Sequence, residues 1–344
     1  MNFAVWLVEA ILVFVIASFA SDVVHYVLHA MPNSLGGLHK AHHHFFDSNL
    51  KVHPKYVRVN IFHHLLPEYV TSAAAACFAF FICQPTVVLA VILYQTIAVS
   101  IEIFAYRGVG PHHKDLSEQM LTRSRGFFVG PMYHALHHKF PDSYIGSVTK
   151  LFDIVFGTAC AISGRRFAVT GASGAFGSAI VHELQRLGGE TTALDARNGD
   201  LSDELAWADV LVLCHGSKTD CMAANCDSFI SLIEQFRAVA SSRQVPIEVW
   251  AVGSEIECHP AFGQTEYAES KRAFAKKARE YFSNKRMVYR HIVPSAFTSR
   301  MGQGLISGKL AAKIALFLIR RGARYVPVTY TGVAFVNRLR FGWS

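Results

Sequence analysis

Residues 3–20, FAVWLVEAILVFVIASFA, hold a single charged side chain, Glu9. No other feature constrains the chain as strongly. In hydrocarbon every backbone N–H and C=O must be paired within the segment, so such a run is a helix. At about 1.5 Å per residue it is long enough, with its flanks, to cross a bilayer. The basic opening and small-residue cleavage site of a secretory signal are missing, so the helix reads as retained. It continues through Asp22 to His29. A second apolar stretch runs from Tyr69 to Cys83, breaks at Gln84-Pro85, and resumes from Thr86 to Ala105. Proline has no N–H to give a helix interior and fits the turn of a helical hairpin.

This arrangement delivers His25 and His29 to the side from which the hairpin leaves and to which it returns. Lys40, Lys51, Lys55, Arg58, Arg107, Arg123 and Arg125 fall on the same side, which makes it cytoplasmic by the positive-inside rule. The parts of the chain outside the bilayer are expected there, on an integral membrane protein. Composition agrees: 51% of the residues are hydrophobic and 17% charged, too few charges for an ordinary soluble chain. The net charge of +8 is concentrated from Lys309 onward, where seven basic side chains face no acid. They are set among Ile, Leu, Phe and Val, so residues 309–344 read as a basic amphipathic tail on an anionic membrane surface, not as a nucleic-acid site. Seven cysteines form no Cys-x-x-Cys pair, which fits a reduced compartment.

Fourteen of the 18 histidines lie in residues 1–158. They group as His25-Tyr-Val-Leu-His29, His39-Lys-Ala-His42-His43 and His134-Ala-Leu-His137-His138. Spacings of three and four put side chains on one helix face. Imidazole suits iron, zinc, copper or nickel, and eight such ligands exceed one tetrahedral ion and fit two metals.

These residues resemble the fatty acid hydroxylase/sterol desaturase superfamily, with its HxxxH, HxxHH and later HxxHH. The likeness extends to Val52-His53-Pro54, Phe152-Asp153 and Phe156-Gly157-Thr158. It implies an all-α integral-membrane di-metal domain over 1–158 that uses two iron ions and O2 on a lipid. On that likeness His25, His29, His39, His42, His43, His134, His137 and His138 are metal ligands. A further ligand comes from the adjacent pair His112 and His113, taken as His113. His44, His63 and His64 are expected to be supporting or solvent-facing. No heme-binding segment is visible, so electrons come from an external donor of the ferredoxin or cytochrome type.

From Arg165 the pattern alternates between apolar strands and helical segments, an α/β doubly wound parallel sheet of Rossmann type over 165–308. Thr170-Gly171-Ala-Ser-Gly174-Ala-Phe-Gly177 lies between a predicted strand and helix, where glycines allow a tight turn and close approach of a pyrophosphate. Asp195, at the end of the second strand, could accept a ribose diol; that favours NAD, with NADP possible beside Arg197. In Tyr267-Ala-Glu-Ser-Lys271 the two ends share a helix face, and an adjacent ammonium lowers a phenol pKa. Ser254 sits 13 residues before the tyrosine.

These elements resemble the short-chain dehydrogenase/reductase family. The resemblance implies catalytic roles for Ser254, Tyr267, Lys271 and Asn225, and a place over the nicotinamide for Pro294-Ser295 and Thr298. The usual Asn-Ala-Gly reads Cys214-His215-Gly216, and the domain is compact for the family. Together the halves resemble bifunctional sterol desaturase/short-chain dehydrogenase fusions. The expected function is O2-dependent hydroxylation or desaturation of an apolar lipid, coupled to NAD(P)-dependent oxidoreduction of the alcohol or carbonyl. Oxidative loss of an aldehyde carbon, or a non-catalytic lipid-sensing role, are the alternatives.

Overall fold

The apolar runs become helices in the computed structural model, which describes residues 2–31, 34–110, 113, 126–197, 201–243, 245–258 and 265–342. His112, Arg123 and Arg125 lie outside the described residues. The chain divides into two units, Met1–Ala159 and Cys160–Ser344.

In the first unit a helix spans Phe3–Ala30, its N-terminus capped by the Asn2 side chain, which accepts from the Ala4 N–H at 3.0 Å. A second helical stretch runs from Val57 to Phe78, interrupted by a π turn at Ile61–Leu65. A third begins with Pro85 in its first turn, where a missing N–H costs nothing, and runs to Ser100 before another π turn at Ile101–Ala105. The expected hairpin is therefore present. Among the described residues two helices, Phe3–Ala30 and Pro85–Ala105, are long and apolar enough to cross a membrane. With the Leu66–Phe78 helix they share a contact lined by Val13, Ala17, Ala76, Val87 and Val91. Ala17 and Ala76 are small enough to let the backbones approach closely. Ile11, Leu12, Ile16, Leu89 and Leu93 point outward and are exposed.

The second unit is built on eight strands among the described residues. They are β1 (Arg166–Thr170), β2 (Glu190–Leu194), β3 (Val210–Leu213), β4 (Ile247–Val252), β5 (Met287–Pro294), β6 (Phe297–Thr298), β7 (Ile306–Ser307) and β8 (Tyr325–Val328). Six form a parallel sheet in the order β2-β1-β3-β4-β5-β8. Strands such as Val-Leu-Val-Leu in β3 are buried at every position because helices cover both faces. Ile180 and Leu184 of the Ala175–Arg186 helix, with Ala311, Ala315 and Ile319 of the Gly308–Arg320 helix, pack one face. Phe229, Ile233 and Phe236, with Phe274 and Ala278, pack the other. The strand order reverses between β1 and β3, where a ligand crevice opens at the carboxyl ends of such sheets. Across the sheet Glu248 accepts from Arg165 at 2.8 Å, Arg290 at 2.6 Å and Trp250 at 2.7 Å. Burial pushes this carboxyl up, but Arg290 and Arg165 prevail and hold it at about 2.

Two expectations are corrected. Residues 309–344 do not form a separate tail: the Gly308–Arg320 helix packs on the sheet, and β8 pairs with β5 from His291↔Tyr325 to Pro294↔Val328. Pro327 is tolerated because β8 is an edge strand. Arg324, counted as a membrane-facing charge, instead donates to the carbonyls of Tyr289 and Phe282. Cys160 and Ile162, before β1, belong to the core of the second unit.

Candidate active sites

In the first unit, helix and turn geometry gathers the histidines about two points. His29 is one pivot: its Nε2 lies 3.2 Å from His25 Nε2 and 3.4 Å from His43 Nε2. His39 and His137 join the same neighbourhood, with ring atoms close enough to share an ion. His134 is the second pivot, its Nε2 2.9 Å from His113 Nε2 and 3.1 Å from His138 Nε2. Two imidazoles bound at about 2.0–2.1 Å to one ion lie roughly 2.9–3.4 Å apart, so these separations suit shared coordination. His42 bridges the groups, its ring stacked 4.3 Å from His64 and set edge-on 5.1 Å from His138.

Tautomers are set by carbonyls. Nδ1 of His42, His113 and His137 lies 2.7, 2.8 and 3.0 Å from the carbonyls of His39, Val109 and Ser143. A carbonyl only accepts, so Nδ1 carries the proton and Nε2 offers its lone pair. Among the described residues, Nε2 of His39, His42 and His137 is buried without a hydrogen-bond partner, which is costly unless something binds there. Burial lowers His39 and His137 to about 4 and holds His42 and His138 further down, keeping these rings in the neutral, ligating form. The donor set therefore fits two nitrogen-ligated transition ions. Asp153 braces it from behind, accepting from Tyr133, Thr158 and the N–H groups of Ile145 and Gly146, and so fixes the loop that presents Ser143 to His137.

His64 is the residue that the sequence reading missed. It is buried and groups with His113 and His134 within ligand reach, while His63 is half-buried with Nδ1 3.0 Å from the Leu38 carbonyl. Both sit on the π turn, a feature often found at functional sites. His44 stays outside, stacked near Tyr56.

In the second unit the glycine turn is a tight cradle. Gly171 has φ +63°, and a Cβ there would meet His215 N at 2.6 Å; a Cβ on Gly177 would overlap the Gly171 carbonyl oxygen. Gly174 opens the Ala175–Arg186 helix as its N-cap, so the free N–H groups face the crevice, as a pyrophosphate requires. Thr170 Oγ1 ties β1 to the next strand, accepting from Cys214 N–H at 3.2 Å and lying 2.7 Å from His215 Nδ1. The other ring nitrogen of His215 is 2.6 Å from Ser228 Oγ. Burial and the Lys271 charge lower His215 to about 4, so this neutral ring acts as a strut.

Ser254, Tyr267 and Lys271 converge on one cavity of about 690 Å³, shared with His215, Pro294 and Ser295. Ser254 follows β4 and caps the short turn Glu255–Glu257. Tyr267 and Lys271 project from the Glu266–Ser283 helix, which Thr265 caps by accepting from Ala268 N–H. Ser254 is hydrogen-bonded to Tyr267. Lys271 donates to the Val252 carbonyl at 3.0 Å and lies 6.0 Å from the Tyr267 ring centre. The lowered phenol pKa expected from the sequence is not found: burial pushes Tyr267 up, against the Ser254 hydrogen bond, because Lys271 is not in direct contact. Asn225, fully buried on a π turn, accepts from Ser217 N–H and donates to Ser217 O and Ser270 Oγ.

Two predicted nucleotide contacts stand apart. Both oxygens of Asp195 are engaged by Arg197, at 2.9 and 2.7 Å, which lowers Asp195 to about 2. Thr298 is exposed and donates to the Gly304 carbonyl at 3.0 Å, while its neighbours Phe297 and Ser299 line the cavity.

Burial lowers Lys271 from 10.5 to about 8, partly offset by Glu257. The unfolded chain keeps this proton up to its ordinary value and the folded one releases it earlier, so stability rises as pH climbs from about 8 to 10.5. Below that window the buried ammonium costs about 3 kcal/mol. Lys271→Met is therefore expected to resist denaturant at pH 7 better than the parent, with the gap closing near pH 10, while losing turnover. Paired denaturant melts at the two pH values check this; a less stable variant at pH 7 contradicts it.

No family model matches the chain. It is similar to the monoglucosyldiacylglycerol epimerase of Synechocystis sp., 28% identical over 277 residues that cover 67% of each protein. A short-chain dehydrogenase of Burkholderia cenocepacia in complex with NADP covers 53% of this chain and 95% of its own, at 16% identity and a TM-score of 0.44. The Pseudomonas aeruginosa RhlG/NADP complex covers 49% of this chain and 96% of its own, at 20% identity and a TM-score of 0.40.

Proposed function

We propose that this chain, a short-chain dehydrogenase/reductase-type unit preceded by a histidine-rich, sterol desaturase-like helical unit, is a membrane enzyme that oxidises or reduces one carbon of a lipid with NAD(P). The observation that carries this reading is the meeting of Ser254, Tyr267 and Lys271 in one cavity beside the glycine turn. Gly171, Gly174 and Gly177 would hold the pyrophosphate. Bound NAD(P) supplies or accepts the hydride. Ser254 Oγ orients the substrate oxygen, and Tyr267 Oη gives its proton to a carbonyl or takes one from an alcohol. With its phenol pushed up by burial, Tyr267 is loaded as the acid, ready for the reducing direction. Lys271 holds positive charge near the oxygen that gains or loses the proton.

For the first unit the same proposal assigns His25, His29, His39, His42, His43, His64, His113, His134, His137 and His138 as the donor pool for two iron ions. Those ions would supply O2-dependent hydroxylation or desaturation of an apolar lipid, with electrons from a ferredoxin- or cytochrome-type donor. The alcohol so formed is the natural substrate of the second unit. The protein would lie in the membrane with both sites on the cytoplasmic face.

The Synechocystis relative favours a second reading, in which a lipid-linked sugar hydroxyl is oxidised and then reduced from the opposite face, with no net redox change. Oxygen separates the two. Membranes containing the protein are supplied with NAD(P) and a glucosyl diacylglycerol, with and without air, and lipids are resolved by mass. Products that gain an oxygen or lose two hydrogens only in air support the oxygenase reading. An isomer of unchanged mass, formed without air, supports epimerisation.

A further inference from the structure

The Met1–Ala159 unit contains a cavity of about 340 Å³ that reaches from the apolar helices to His64, His113 and His134. Its position, beside the second histidine pivot, is where a lipid would present the carbon to be attacked. Tyr94 and Val99 give it apolar walls, but several of its lining atoms are the wrong kind for a plain hydrocarbon. Ser18 is 4% exposed and Gln95 is 9% exposed, and among the described residues neither Ser18 Oγ nor Gln95 Oε1 has a hydrogen-bond partner. Gln95 is held rigidly: its Nε2 donates to Ser72 Oγ at 2.8 Å, which leaves Oε1 as a fixed acceptor. The carboxyl groups of Glu68 and Glu102 line the same space.

Polar groups inside an apolar helical bundle are expensive, and they persist where something polar passes or binds. A saturated chain in this cavity would leave Ser18 Oγ and Gln95 Oε1 unpaired. Gln95 Oε1 only accepts, so a fitting ligand must donate to it. Two carboxyl groups also disfavour phosphate, sulfate or carboxylate headgroups. We propose that this cavity takes a neutral, hydroxyl-bearing part of a lipid, a vicinal diol or polyol, and not a bare acyl chain. The proposal rests on the reading of the first unit as a lipid enzyme and deepens it: the carbon presented to the histidines lies next to hydroxyl groups.

The test uses the full chain in phosphatidylcholine nanodiscs and a diazirine-bearing dodecane-1,2-diol, with crosslinked peptides located by mass spectrometry. Labelling is expected within residues 94–102. Unlabelled dodecane-1,2-diol should suppress it at about 10-fold lower concentration than dodecane, the advantage of one or two hydrogen bonds. Gln95→Leu, close in volume, should shrink that advantage to about 3-fold or less while metal content and melting stay unchanged. Equal competition by dodecane overturns the proposal and leaves the lipid reading standing, with the polar atoms satisfied by water. Stronger competition by dodecylamine overturns it in favour of a cationic ligand. Absence of labelling in the segment overturns both the proposal and the lipid reading of this cavity.

Discussion

Phenylalanine at position 267 lowers NAD(P)-dependent turnover by about 10²–10⁴-fold, the usual worth of one positioned acid–base group. The substitution removes a single oxygen, the one hydrogen-bonded to Ser254 at the mouth of the cavity. It leaves the aromatic body in place, and the glycine turn that would cradle the nucleotide lies on another element. Nucleotide affinity is therefore expected to stay within about 2-fold, because none of the assigned phosphate contacts involves the phenol. The experiment scores reduced nicotinamide formed from detergent-solubilised secondary alcohols, alongside direct titration of the nucleotide. In cells, an alcohol made by the first unit should accumulate. Unchanged turnover would remove Tyr267 from the chemistry. A joint loss of turnover and nucleotide binding would mean that the residue holds the site together instead.

The second large effect concerns metal content. His29→Ala is expected to release one ion of a pair and His134→Ala the other, because each ring is the hub of its own group. The affinity loss at each site should exceed the roughly 10–100-fold cost of disturbing a mere supporting partner. Iron per chain, measured on protein purified with iron supplied, should fall by half in each single variant and vanish in the double. His63→Ala, on the same π turn but with its ring turned to the Leu38 carbonyl and in none of the ligand groups, should retain both ions. His64→Ala should behave like His134→Ala. If His63→Ala and His64→Ala lose equal amounts of iron, the assignment of His64 fails.

Much of the candidate machinery was legible from residue spacing because it lies on regular helices or on a turn that only glycine can make. His25 and His29, or Tyr267 and Lys271, are four apart and share a face whatever surrounds them. Gly171 and Gly177 have no alternative, given how closely backbone approaches them. His64 was not legible for a local reason. The π turn Ile61–Leu65 inserts extra backbone into the helix, so the ordinary period no longer tells which of two adjacent histidines faces inward. The pairing of Asp195 with Arg197 and the distance of Lys271 from the phenol depend on side-chain reach, which spacing does not encode. The region after Lys309 misled for a different reason. Tyr-Val-Pro-Val in β8 is short and interrupted by proline, and the arginine before it reads as a surface charge until its carbonyl partners are known.

That late strand has a bearing on how the protein is made. β5 is buried at nearly every position, and its outer edge is satisfied by β8, which a ribosome adds only after β6, β7 and the Gly308–Arg320 helix. Until then the nascent sheet shows an open row of amides and carbonyls beside Ile292 and Val293, a template for pairing with any other chain. A frameshift or early stop between Pro294 and Tyr325 would leave a product carrying every group assigned to catalysis yet prone to clump. Loss-of-function alleles in this stretch should therefore appear as insoluble protein, not as inactive enzyme.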